Sequence, residues 1–149
     1  MVASTYRTID VLVNNAGLGG HRQALHEYDM VGQIAVRVFI FDRVPINVFS
    51  LKAGFDAIMA VNVRAPFSMM QQAISQMRER KSGCIINFAS TAGHRASKLA
   101  APYSISKSAV LAMTRCAAAE YSSEGIRINS ISPGALERPN IQGFSTEVG

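Results

Sequence analysis

Short apolar runs alternate with longer amphipathic stretches along this chain. Three runs are rich in Ile and Val and end in turn-forming or polar residues, which is typical of strands; they are "IDVLVNN" (9–15), "CIINFAS" (84–90) and "IRINSIS" (126–132). The continuous apolar character of the first two favours strands covered on both faces of a parallel sheet. Residues 53–80 and 103–123 repeat apolar side chains at helical spacing or are rich in alanine, and predict helices. The order β-α-β-α-β predicts an α/β fold with a parallel sheet, right-handed crossovers and helices on its faces.

The first predicted helix carries a polar residue on its apolar face. Positions 58, 62, 66 and 70 form one buried stripe, and Asn62 is costly there unless its amide is hydrogen-bonded. Pro66 has no N–H to donate to the carbonyl of Asn62, which leaves that carbonyl free to hold a water molecule.

Residues 18–52 do not follow this alternation. The segment "QIAVRVFIFD" (33–42) has strand character, although a single helix would suffice for this connection. We expect residues 29–49, approximately, to be an atypical insert, either an added hairpin or a stretch outside the working fold. The rest is predicted to form a single domain within residues 1–149.

The basic residues are mostly scattered as single positions, so the net charge of +5 favours a solvated surface and no nucleic-acid partner. A nucleic-acid binder is a less favoured hypothesis that rests on charge alone. The one cluster, "RERK" (78–81), falls at a predicted helix end, where cations suit the helix dipole. Gly125 follows the second helix and predicts a C-terminal cap.

The most apolar segment, residues 31–49, is not a membrane span, because it contains Arg37, Asp42, Arg43 and Pro45. The N-terminal sequence "MVASTYRTID" is polar and predicts no signal peptide. We expect a soluble, cytoplasmic protein with no membrane partner.

The cysteines and histidines predict no metal site. Cys84 and Cys116 lie in apolar segments and are expected to be free, buried thiols in a reducing compartment. His21, His26 and His94 lack the spacing of metal ligands and are expected to be ordinary surface residues.

The ends of the three predicted strands carry small or turn-forming residues. Ligands of open α/β sheets bind in a crevice outside the carboxyl ends of the strands, so these residues are expected to outline one site. They are Asn14, Asn15, Ala16 and Gly17 after the first strand, Ser90, Thr91, Ala92 and Gly93 after the second, and Pro133 and Gly134 after the third.

The motif "YSISK" (103–107) opens the second predicted helix. Positions i and i+4 share a helix face, so the phenol of Tyr103 and the ammonium group of Lys107 are expected to lie one turn apart. Either both side chains reach for solvent, or the ammonium group makes the phenol proton labile.

The chain resembles the short-chain dehydrogenase/reductase family, classical type. Asn62, Ser90, Tyr103 and Lys107 occur in the order of that family's catalytic tetrad. The resemblance extends through "IDVLVNNAG", "VNVRAPF", "INFASTAG", "YSISK" and "RINSISPG", and covers residues 9–17 and about 50–139. Tyr-x-x-x-Lys alone is a weak signal that chance often supplies, whereas five blocks in the right order are specific.

The resemblance implies an NAD(P)-dependent oxidoreductase that interconverts a hydroxyl and a carbonyl of a small alcohol or carbonyl substrate by hydride transfer. Tyr103 would act as general acid and base, and Ser90 would hydrogen-bond the substrate oxygen. Lys107 would favour the phenolate and hold the nicotinamide ribose, and Asn62 would anchor a water molecule. The residues expected to bind NAD or NADP are Asn15, Ala16, Gly17, Tyr103, Lys107, Pro133 and Gly134.

Part of the family's fold is missing from this sequence. No Gly-rich phosphate-binding turn is present, and "NNAG" (14–17) matches the turn after the family's fourth strand. The resemblance therefore predicts the second half of a Rossmann-type doubly wound sheet, truncated at both ends. Arg138 occupies a position where the family often has a threonine that holds the nicotinamide amide.

A second hypothesis is a non-catalytic, truncated family member that acts through subunit association. The resemblance implies a homo-oligomer formed through the helices 53–81 and 103–124. Alanines on the second helix would permit close helix approach, and they could equally serve the core; they are Ala109, Ala112, Ala117, Ala118 and Ala119.

Overall fold

The computed structural model describes residues 8–20, 22–28, 30 and 54–135. Three parallel strands form one sheet in the order β1-β2-β3. They are β1 (Val11–Asn14), β2 (Gly83–Phe88) and β3 (Ile126–Ile131). The predicted α/β fold with a parallel sheet is confirmed, with strands slightly shorter than the apolar runs. The predicted insert at 29–49, apart from Met30, lies outside the described residues, as do His21 and Arg138.

The first predicted helix has three consecutive parts. These are α1 (Phe55–Met59), a π-helical segment (Ala60–Arg64) and α2 (Ala65–Arg80). In the π-helical segment the N–H of Ala65 donates to the carbonyl of Ala60, five residues back. π-Helical turns are rare and concentrate at functional sites, and this one contains Asn62.

The second predicted helix is α3 (Ala101–Tyr121), followed by a short 3-10 turn, Ser122–Glu124. The predicted start at residue 103 was wrong by two residues. Pro102 lies in the first turn of the helix, where its missing N–H costs nothing and its fixed φ suits helix initiation. Tyr103 therefore lies inside the first turn.

The core lies between one face of the sheet and the helices. Leu12, Ile85 and Ile128 occupy one row across the three strands and are buried. Alternate positions of β1 are different, because Val11 is 57% and Val13 is 52% exposed. The expectation that both faces of the strand are covered was therefore wrong for β1, while Cys84 and Ile86 at the alternate positions of β2 are half-buried. The helix side chains that complete the main core are Met70, Ala73, Ile74, Met77 and Ala117.

The buried stripe on the first helix is confirmed. Ile58, Asn62, Pro66 and Met70 are all buried. The cysteines differ from their expectation: both are free, but Cys84 is only half-buried and Cys116 is exposed. Apolar neighbours in the sequence therefore did not predict burial of these thiols. Cys116 is exposed because it lies on the outward face of α3.

Gly125 ends the 3-10 turn after α3 in the left-handed conformation, with φ at 77°, as predicted for a C-terminal cap. A Cβ at this position would collide with the carbonyl oxygen of Lys81, in the turn between α2 and β2. The turn that precedes β2 and the turn that precedes β3 thus pack against each other through their backbones, at Lys81 and Gly125.

We expect Gly125→Ala to lower the free energy of unfolding by about 2 kcal/mol, from backbone strain and the collision with Lys81. The matched control is Gly19→Ala, because a Cβ at Gly19 has nothing within 4 Å. Urea unfolding followed by circular dichroism measures both. Equal stabilities of the two variants would contradict this account of the turn.

Candidate active site

The carboxyl ends of β2 and β3 remain joined beyond the strands themselves. The N–H of Ala89 donates to the carbonyl of Ile131 at 2.8 Å, and the N–H of Thr91 donates to the carbonyl of Pro133 at 3.0 Å. Gly134, which follows, is exposed. The predicted turns after the second and third strands are thus neighbours at the carboxyl end of the sheet.

The ends of β1 and β2 are linked by side chains. Asn14 Nδ2 donates to Asn87 Oδ1 at 2.8 Å, and Asn87 Nδ2 donates to Thr114 Oγ1 on α3 at 2.9 Å. Thr114 Oγ1 in turn donates to the carbonyl of Val110 at 2.7 Å. This chain of hydrogen bonds satisfies buried polar groups on the helix-facing side of the sheet, where an unpaired group would be costly.

Lys107 is buried at the carboxyl end of β2, with only 5% of its surface exposed. Its Nζ donates to the carbonyl of Phe88, the last residue of β2, at 2.7 Å, and lies 5.7 Å from the centroid of the Tyr103 ring. Among the described residues, no ion pair involves this ammonium group. Burial lowers the pKa of Lys107 from its ordinary value of 10.5, because desolvation disfavours the charged form.

Asn62 clamps the backbone of Leu18. Its Oδ1 accepts from the N–H of Leu18 at 2.7 Å, and its Nδ2 donates to the carbonyl of the same residue at 2.9 Å. Nδ2 also donates to Ser106 Oγ at 2.9 Å. Asn62 is 1% exposed, so these bonds supply the partners that the sequence required for a polar residue in the apolar stripe.

At Gly17 the loop after β1 passes close to the side chains of Asn62 and Lys107. A Cβ at this position would lie 3.4 Å from Asn62 Oδ1 and 3.4 Å from Lys107 Nζ. The preceding residues, Asn15 and Ala16, are exposed. The structure therefore brings together the predicted loop, Asn62, Lys107 and the half-buried Tyr103.

Ser90 lies between the end of β2 at Phe88 and the 3-10 turn that begins at Thr91. Its Oγ accepts from the N–H of Ala92 at 3.2 Å and caps the 3-10 turn Thr91–Gly93. The described residues place no hydrogen bond between this hydroxyl and Tyr103. The turn packs closely on α3, since a Cβ at Gly93 would lie 2.8 Å from the carbonyl carbon of Lys107.

Two buried residues of the site were missed from the sequence. Ser106 is fully buried and joins Asn62 to α3, and Asn87 is fully buried beneath the ends of β1 and β2. Ser106 could have been found, because it lies within "YSISK" three residues after Tyr103, where a serine hydroxyl can bond back to the helix. Asn87 lies two residues after Ile85 in β2, so the two side chains point to the same face of the sheet. This alternation could have predicted a buried polar residue at position 87.

The described part of the chain contains no group of three or more His, Cys, Asp or Glu side chains that could hold a metal ion. No helix within these ranges is long and apolar enough to cross a membrane. His94 is exposed, and its Nε2 lies 2.9 Å from Ser132 Oγ.

Comparison with known proteins gives consistent similarities. The chain matches the short chain dehydrogenase family over residues 1–147. A 2-(R)-hydroxypropyl-CoM dehydrogenase of Xanthobacter autotrophicus is 34% identical over 137 residues, which are 92% of this chain and 47% of that protein. A relative from the same organism, named inactive 2-(S)-hydroxypropyl-CoM dehydrogenase 2, is 47% identical over 79 residues, 53% of this chain and 34% of the relative. The crystal structure of NAD+-bound xylitol dehydrogenase has a TM-score of 0.73 and 29% identity, over 93% of this chain and 45% of its own.

The chain spans about half the length of the curated relatives it matches, 47% in the case of the first hydroxypropyl-CoM dehydrogenase. The family match nevertheless extends over nearly all of this sequence and includes the three parallel strands, the helix with Asn62 and the Tyr103–Lys107 pair. On these grounds the chain belongs to the short chain dehydrogenase family.

Proposed function

We propose that this chain carries the catalytic part of an NAD(P)-dependent oxidoreductase that interconverts a hydroxyl and a carbonyl group of a small molecule. The observation that carries the proposal is Lys107, a buried cation whose described polar partner is one backbone carbonyl and which lies beside the ring of Tyr103. A buried cation without a counter-ion is costly in a purely structural role. Such groups concentrate at functional sites.

The residues present fit a nicotinamide dinucleotide. An ammonium group has three N–H donors, and the bond to Phe88 uses one of them, which leaves two for ribose hydroxyls. The backbone at Gly17 passes beside the same Nζ without a side chain to fill the space. The solved xylitol dehydrogenase, which has a similar fold, was crystallised with NAD+ bound, and this supports the same cofactor class here, NAD or NADP. When bound, the nicotinamide accepts or supplies the hydride.

Tyr103 moves the proton in this proposal. Its phenol lies in the first turn of α3, half-buried, and gives its proton to the oxygen of the substrate during reduction or takes it during oxidation. The ammonium group of Lys107, 5.7 Å from the centroid of the ring, places a positive charge beside this phenol. Ser90 Oγ accepts from the N–H of Ala92, which leaves the hydrogen of the hydroxyl to donate to the substrate oxygen.

Asn62 has two roles in this account. Its side chain holds the loop after β1 through Leu18. Pro66 has no N–H to donate to the backbone carbonyl of Asn62, and in this proposal that carbonyl accepts from a water molecule instead. The water would connect Lys107 to solvent and replace the proton that Tyr103 gives up. The residues beyond the loop that we assign to the cofactor are Pro133 and Gly134, which adjoin Thr91 at the sheet edge.

A second candidate function is association with another subunit without catalysis. The relative of this chain that is named inactive favours it, as do large apolar side chains exposed on the two helices, Phe67 at 49% and Ile105 at 46%. Under this alternative the helices 53–81 and 103–124 form a homo-oligomer interface. Analytical ultracentrifugation combined with an NAD(P)H titration separates the two: binding supports the enzyme, and self-association without binding supports the interaction role.

Tyr103→Phe tests the catalytic assignment. Removal of the hydroxyl should lower the rate of NAD(P)H consumption with a panel of small ketones by about 100-fold or more, since a positioned acid contributes at least that factor. NAD(P)H affinity and the unfolding midpoint should change little. The control is Tyr121→Phe, at the other end of α3, whose ring lies 5.7 Å from the guanidinium carbon of Arg78. Full activity in Tyr103→Phe would rule out this tyrosine as the acid.

Lys107→Met tests whether the buried cation is kept at the expense of stability. Folding lowers the pKa of Lys107, so as pH rises toward 10.5 the folded chain releases this proton first and the unfolded chain holds more protons. Stability of the native sequence relative to the Met variant should therefore increase with pH over this interval. At neutral pH the variant should be equally stable or more stable, by up to about 1 kcal/mol, and should bind NAD(P)H more weakly.

The measurement is urea unfolding of both proteins between neutral pH and pH 10.5, with Lys98→Met as a control at an exposed lysine. A stability difference between the native sequence and Lys107→Met that is independent of pH would show that burial does not perturb this ammonium group. A large loss of stability at neutral pH would indicate a structural role instead.

A further inference from the structure

We infer that Ser106 is a positioning residue that holds the Asn62 amide in place, and through it the backbone of the loop after β1. Ser106 is fully buried, and its Oγ takes part in two hydrogen bonds. It donates to the carbonyl of Tyr103 at 2.7 Å and accepts from Asn62 Nδ2 at 2.9 Å.

The direction of every bond in this chain is determined. The N–H of Leu18 can only donate, so it must face Asn62 Oδ1, and the carbonyl of Leu18 can only accept, so it must face Nδ2. The second hydrogen of Nδ2 then points at Ser106 Oγ. A hydroxyl has one hydrogen, and that of Ser106 is used on the carbonyl of Tyr103, which leaves its oxygen to accept from the amide.

A serine that bonds back to the carbonyl three residues earlier is common in helices and by itself has no wider meaning. Ser106 differs because its oxygen is also the acceptor for a buried amide on another element, 44 residues away in sequence. Without it, one N–H of Asn62, a residue that is 1% exposed, would have no described acceptor. The amide would then be free to rotate away from Leu18, because an orphaned buried donor favours any arrangement that finds it a partner.

The loop that Asn62 holds is next to Lys107. Gly17 precedes Leu18, and a Cβ at Gly17 would lie 3.4 Å from Lys107 Nζ. The carbonyl that receives the Ser106 proton belongs to Tyr103 itself. Ser106 therefore connects the first turn of α3, through Asn62, to the loop that passes beside the ammonium group of Lys107.

The test compares Ser106→Ala with Ser104→Ala in the full chain. Ser104 is the matched control, since it lies in the same turn and its buried Oγ has no hydrogen-bond partner among the described residues. Hydrogen exchange of the Leu18 amide, followed by NMR, is the first readout. We expect Ser106→Ala to accelerate this exchange at least about 10-fold, corresponding to the loss of one buried hydrogen bond, and Ser104→Ala to leave it unchanged.

An exchange rate of Leu18 that is unchanged in Ser106→Ala would overturn the inference. Equal acceleration at Leu18 and at amides of the β2–β3 pairing would also overturn it, because that pattern means global destabilisation. Ser106→Thr keeps the hydroxyl and should restore protection of Leu18. If Ser106→Ala does not fold, Ser106→Cys, with a thiol that is only a weak acceptor, replaces it in the same comparison.

A second readout rests on the proposed oxidoreductase function. In Ser106→Ala the KM for NAD(P)H should rise about 10-fold while kcat changes less than about 3-fold, because the side chains of Tyr103, Lys107 and Ser90 are retained. A fall in kcat at constant KM would contradict a role in holding the loop. If the native chain does not bind NAD(P)H, the proposed function fails, but the exchange of Leu18 still decides the role of Ser106.

Discussion

A lysine ammonium group buried at the end of a parallel sheet is the constraint around which the rest of this site is arranged. Lys107 is 5% exposed, and its hydrogen bond to the carbonyl of Phe88 offsets only part of the cost of removing the charge from water. The bond requires α3 to cross the end of β2 closely. Gly93 permits this approach, because a Cβ there would lie 2.8 Å from the backbone of Lys107. The sheet end, the glycine turn and the helix thus meet at this one cation.

Asn62 and Asn87, two buried polar residues of the site, are well provided with partners. Asn62 uses its amide on Leu18 and Ser106, and Asn87 joins β1 to α3 through Asn14 and Thr114. Each of these hydrogen bonds restricts the orientation of the amide that makes it. Lys107 differs, because its one hydrogen-bond partner among the described residues is the carbonyl of Phe88, which leaves two N–H donors for a ligand. Hydroxyl groups of a ribose would meet that need.

The features that could be predicted from the sequence are those set by local rules. Apolar runs predicted the three strands, and helical periodicity predicted the buried stripe at 58, 62, 66 and 70. The glycine at position 125 predicted the left-handed conformation that ends the turn after α3. What escaped prediction depends on contacts between distant segments. The clamp of Asn62 on Leu18 spans 44 residues, and no periodicity specifies it. Continuous apolar runs likewise could not reveal that Val13 is 52% exposed while Leu12 is buried, because burial of a strand face is decided by the elements that pack on it.

The central claim, that Lys107 is a buried cation kept for a dinucleotide, is tested most directly by NMR of its side-chain amine in the full chain. The Lys107 resonance is assigned as the one missing from Lys107→Met, and it is titrated with pH and then with NAD(P)H. We predict that the pKa of Lys107 lies below the ordinary 10.5 and that its resonance shifts as NAD(P)H is added. A pKa at the ordinary value, or a resonance that saturating NAD(P)H leaves unchanged, would contradict the account.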